Sequence, residues 1–78
     1  MTPGELAAAG EALYGPLWQS ELARRLDVRL VSMQRWASGR AAMRPETAAG
    51  LRREIVALLR ERGHECARVA ELLSAGQT

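Results

Sequence analysis

The chain has 78 residues, 47% of them hydrophobic, with 11 arginines, no lysine and a formal net charge of +2. That length makes one domain with a core too small for more than modest stability unless a partner adds buried surface, so a homodimer is expected. The single Cys66 rules out an internal disulfide, and no apolar run nears the roughly 18 residues of a membrane span.

Abundant Leu and 14 Ala favour helix nearly throughout, and five helices are predicted in a single all-α domain over residues 1–78. Thr2 followed by Pro3 is a cap and first-turn signal, and Leu6, Ala9, Leu13 and Leu17 follow at roughly helical spacing. Gly15 and Pro16 interrupt, so the first helix runs from about Pro3 to Tyr14. The second covers Gln19 to Leu26 and the third Leu30 to Ser38, with Gly39 suited to the left-handed position that ends a helix. Arg40 to Arg44 form a loop, after which Pro45 opens a fourth helix with an apolar stripe of Ala48, Leu51, Ile55, Leu58 and Leu59. Gly63 is expected to stop it. A fifth helix from about Glu65 to Ser74 then presents Val69, Leu72 and Leu73, and the final residues fray. No linker or internal repeat interrupts the chain, and without a basic, apolar leader a cytoplasmic, nucleoid-associated location is expected.

The segment from Gln19 to Gly39 carries the most information. Leu22, Ala23 and Leu26 share one face of the second helix, Val28 sits in the turn, and Met33 and Trp36 share one face of the third. That is the spacing of a helix-turn-helix, whose second helix crosses the first at roughly 90–120°. Ala23 permits the close crossing. Asp27 stands at a turn position best filled by Gly, but Asp tolerates the left-handed backbone that most residues resist.

On these residues the stretch resembles the helix-turn-helix of the lambda-repressor-like (Cro/C1, Xre-type) family of bacterial and phage transcriptional regulators. The matching positions are Gln19, Leu22, Ala23, Asp27 and Val28, then Arg35, Trp36, Ser38 and Gly39, and the resemblance extends from about Leu13 to about Leu59. It differs at Trp18, where a capping Ser or Thr is usual, at Arg29 in the next cap position, and at Leu30 and Val31, where polar residues are common. The resemblance implies that the third helix enters the DNA major groove while the second crosses the backbone.

Charge is distributed accordingly. Residues 18–53 carry eight arginines against Glu21, Asp27 and Glu46, a balance of +5, while residues 1–17 carry −2 and residues 54–78 carry −1. Such concentration is the footprint of a surface that neutralises phosphates. With Met33 and Trp36 inward, Leu30, Val31, Gln34 and Arg35 face outward as the candidate base readers. Gln34 can pair with adenine, Arg35 can fork onto guanine, and Leu30 or Val31 can pack on a thymine methyl. Gln19, Ser20, Arg29, Ser32, Arg40 and Arg44 are the candidate phosphate contacts, whereas Arg24 and Arg25 read as a solvated face. Trp18 either covers the end of the core or lines the DNA face.

Residues 54–74 are the expected dimerisation helices, through Val56, Leu59, Val69, Leu72 and Leu73; the competing arrangement folds the fifth helix onto the first of its own chain. An enzyme is not expected, because His64 and Cys66 lack converging partners and no Gly-rich phosphate loop exists. A satisfied or solvated His64, a buried Cys66, and neither cofactor nor metal follow from that. The expected function is a sequence-specific, double-stranded-DNA-binding transcriptional regulator, a repressor or autoregulator acting as a homodimer on an inverted repeat. The alternative is a helical module that uses the same fold to bind a protein partner.

Overall fold

A computed structural model describes residues 1–75, and these form four helices: α1 Pro3–Tyr14, α2 Trp18–Leu26, α3 Leu30–Ser38 and α4 Pro45–Ala75. There is no strand among the described residues. The fraying expected at the C-terminus concerns residues 76–78, outside the described residues.

Local chemistry accounts for where the first three helices begin and end. The Thr2 hydroxyl accepts from the Glu5 N–H at 3.1 Å and the Glu5 carboxylate accepts from the Thr2 N–H at 2.8 Å, closing a capping box with Pro3 in the first turn. That bond to the Thr2 backbone, then the nearby Arg52, holds the Glu5 carboxyl below the ordinary Glu range. Helices α2 and α3 end in the same manner: Asp27 (φ 56°, ψ 45°) and Gly39 (φ 77°, ψ 8°) take left-handed backbone. The N–H of Val28 reaches back to the Ala23 carbonyl and that of Arg40 to the Arg35 carbonyl, both at 2.9 Å. Asp27 thus does what Gly39 does, as a residue type able to enter that region.

The core gathers Leu6 and Leu13 from α1, Trp18, Leu22, Ala23 and Leu26 from α2, Met33 from α3, and Leu51 and Ile55 from α4. Helix α1 is the hub, touching each of the other three. Trp36 is half-buried against this cluster, whereas Trp18 is 4% exposed, so Trp18 belongs to the core. Its indole lies flat on Gly10 of α1, where a Cβ would overlap the ring. Leu17 does not continue the α1 stripe. The turn at Gly15 and Pro16 redirects the chain, leaving Leu17 87% exposed.

The expected fourth and fifth helices are one. Gly63 has helical backbone inside α4, because an interior Gly costs only about 1 kcal/mol and nothing here imposes the left-handed turn that ends a helix. The fifth helix therefore does not fold back on α1. Instead Arg62 spans to α1: its Nη2 donates to the Leu13 carbonyl at 2.6 Å and its guanidinium lies 5.9 Å from the centroid of the Tyr14 ring. This supplies the cation that the last turn of α1 lacks. Beyond it, residues 63–75 project about 20 Å at 1.5 Å per residue and are exposed throughout. The chain accordingly measures 53 × 23 × 20 Å, with a radius of gyration of 15.0 Å; compact packing of this length would give about 11.5 Å. Cys66 lies on the projecting arm and is exposed, contrary to the expected burial, since no other element among the described residues reaches that far to cover it.

Candidate nucleic-acid interface

Helix α3 presents two faces of different chemistry. Met33 is fully buried beneath it and Trp36 is half-buried, which turns Leu30, Val31, Gln34 and Arg35 to solvent; Leu30 and Val31 are each 41% exposed. All four candidate base readers thus share the outer face. Of the candidate phosphate residues, Ser20, Arg29, Arg40 and Arg44 are exposed, and Gln19 and Ser32 are half-buried.

Two open hollows organise this face. One is bounded by Pro16, Leu17, Gln19, Ser20, Leu30 and Gln34, where the start of α2 meets the start of α3. The other is bounded by Val31, Gln34, Arg35, Ser38 and Arg40, along α3 and its C-terminal turn. Gln34 borders both. Ser38 donates its hydroxyl to the Arg35 carbonyl at 3.2 Å, and no carboxylate borders the second hollow. Arg29, Ser32 and Arg44 border neither hollow. Pro16 and Leu17 do, although the sequence reading assigned them no role at the interface; the available signal was a leucine in the cap position of a helix, where a polar residue is usual.

The distribution of acidic residues separates this face from the rest of the surface. Arg24 pairs with Glu21 at 3.6 Å, Arg25 with Glu61 at 3.8 Å, and Arg52 with Glu5 at 3.5 Å. Arg29, Arg35, Arg40 and Arg44 have no carboxylate partner among the described residues, and no acidic residue occurs from 28 to 45. Helix ends add to the positive field. Unlike α1, neither α2 nor α3 has a side chain bonding its first free N–H groups, because Leu17 and Arg29 occupy the cap positions.

His64 lies far along α4, near Arg25, Glu61, Glu65 and Arg68 in the groove between the arm and the α1–α2 side. No group of three or more metal-ligating side chains occurs among the described residues, and no helix there is long and apolar enough to cross a membrane. Comparison of the chain with protein-family models, with curated proteins and with solved structures finds no match.

Proposed function

We propose that the protein is a sequence-specific duplex-DNA-binding regulator of transcription, in which α2, the Asp27 turn and α3 act as a helix-turn-helix. One observation carries this reading. The four arginines between residues 28 and 45 have no carboxylate partner among the described residues and no acidic residue in their stretch, whereas arginines and carboxylates are interspersed along the rest of the chain. Free cations flanking an exposed helix that offers one amide, one guanidinium and small apolar side chains suit a major groove: phosphates on the rails, base edges between them. Arg29, Arg40 and Arg44 take phosphates, with Gln19 and Ser20 at the uncapped start of α2, while Gln34 and Arg35 read bases.

The division of labour is testable. Gln34→Ala is expected to relax discrimination between a selected site and random DNA by about 1–3 kcal/mol, whereas Arg40→Ala weakens binding to both equally. Gel-shift titrations against the two duplexes measure it. Equal loss for Gln34→Ala on both would remove that residue from the groove.

A homodimer on an inverted repeat belongs to the same proposal. The face of α4 that buries Leu51 and Ile55 continues beyond Arg62 through Cys66, Val69 and Leu73, where nothing among the described residues covers it. Val69, Leu72 and Leu73 are 46%, 67% and 70% exposed. The other two candidate interface residues are placed differently. Leu59 packs against the core, and Val56 lies about 140° around the helix from Val69 at about 100° per residue, so one partner helix does not cover both. Pairing the arms of two copies would present two α3 helices to half-sites about one helical turn, roughly 34 Å, apart. At micromolar concentration the chain is expected to sediment as a dimer and Leu73→Glu as a monomer; a monomeric wild type, or a dimer indifferent to Leu73→Glu, defeats the assignment.

The alternative, a module that binds another protein through the same face, draws support from the apolar character of Leu17, Leu30 and Val31, which is unusual for a polar groove.

A further inference from the structure

Leu17 is the most exposed large apolar side chain among the described residues, and the functions assigned so far do not use it. It occupies the cap position of α2 and makes no side-chain bond there, so the helix start gives up the contact that Ser, Thr, Asp or Asn would supply. What it forms instead is a wall. Pro16 and Leu17 on one side and Leu30 and Gln34 on the other enclose the first hollow, with Gln19 and Ser20 beside them. The hollow thus has an apolar side, Pro16, Leu17 and Leu30, and a polar one, and at Gln34 it adjoins the cationic hollow that holds Arg35 and Arg40.

We propose that the apolar side of this hollow, Leu17 with Leu30, takes the C5 methyl group of a pyrimidine in the major groove, with Leu17 as a specificity-determining residue contributed from outside the reading helix. The proposal rests on the DNA-binding reading above and names what one part of that site recognises. The C5 methyl of thymine is the one apolar group that an unmodified base pair offers in the major groove, and the adenine opposite presents N7 and N6 to an amide. A T·A pair therefore displays, side by side, the two chemistries that Leu17 with Leu30 and Gln34 display here. Charge selects DNA over an apolar peptide as occupant. Arg35 and Arg40 stand beside the hollow with no carboxylate partner among the described residues, and the acid-free stretch from 28 to 45 frames it.

Deoxyuridine differs from thymidine only by the missing methyl, so it isolates this contact. In a duplex selected from a random pool by the wild-type protein, each thymine is replaced singly by deoxyuridine and affinity is measured for wild type and Leu17→Ala. Because the Leu17 side chain stands in solvent, circular dichroism of the variant should match the wild type. One replacement per half-site, at or beside the base pair where Gln34→Ala loses discrimination, is expected to weaken the wild-type protein about fourfold, the effect of one buried methyl. The same replacement should leave Leu17→Ala unaffected. A selected site with no sensitive thymine, or equal sensitivity in the two proteins, overturns the methyl site while leaving DNA binding standing. Failure of the wild type to bind any duplex overturns the DNA reading itself and gives the hollow to a protein partner.

Discussion

Raising salt from 50 to 200 mM is expected to lower duplex affinity about 40-fold for one protomer and about 10³-fold for a dimer engaging two half-sites. The figure follows from Arg29, Arg40 and Arg44, each neutralising a phosphate and so lowering log K by about 0.9 per decade of salt. These side chains start unpaired, so DNA need not displace a carboxylate to recruit them. Changing these three to Gln should remove most of the slope in a plot of log K against log salt. Changing Arg24, Arg25 and Arg52 to Gln should leave it nearly intact, because those arginines already hold Glu21, Glu61 and Glu5. If the two triple variants lose the same slope, the cationic footprint is the whole surface and not the α3 face.

The features legible in the sequence are those decided by local chemistry. Thr2, Pro3 and Glu5 mark the start of α1, Gly39 marks the end of α3 and Pro45 the start of α4, because caps and prolines act within one turn of themselves. The inward face of α3 was legible for the same reason: Met33 and Trp36 recur at helical spacing. The end of α4 was not. Gly63 looks like a stop in isolation, yet a glycine ends a helix only where the chain must turn, and Arg62 anchors the segment just before it in a continuous line. Arg62 itself gave no signal, since its acceptor, the Leu13 carbonyl, lies 49 residues away. Cys66, expected to be buried near a separate fifth helix, is exposed for the same reason: an arm with no neighbour among the described residues buries nothing. Leu17 and Trp18 are adjacent in sequence and opposite in environment, and only the direction in which the chain leaves Pro16 decides which one enters the core.

That last choice makes Trp18 the residue on which both stability and the interface depend. Trp18→Ala is expected to cost about 3–5 kcal/mol, as truncation of a large buried aromatic does, which is most of what a domain of this size has to lose. Gly10→Ala should cost about 1–3 kcal/mol, because the added methyl would sit where the indole already lies. Combined, the two should behave otherwise. With the indole gone, the Gly10 methyl occupies vacated space in a helix interior, where Ala is favoured over Gly by about 1 kcal/mol, so Gly10→Ala becomes stabilising in the Trp18→Ala background. Urea unfolding of the four proteins closes the cycle, and a Gly10→Ala penalty that persists without Trp18 would show that the close approach is not the cause. Binding is expected to follow the same pair, since Trp18 is the first residue of α2 and stands between Leu17 and Gln19, which border the hollow between the starts of α2 and α3. Gly10→Ala, which lifts the indole without touching the interface, should therefore weaken binding to the selected duplex more than to random DNA.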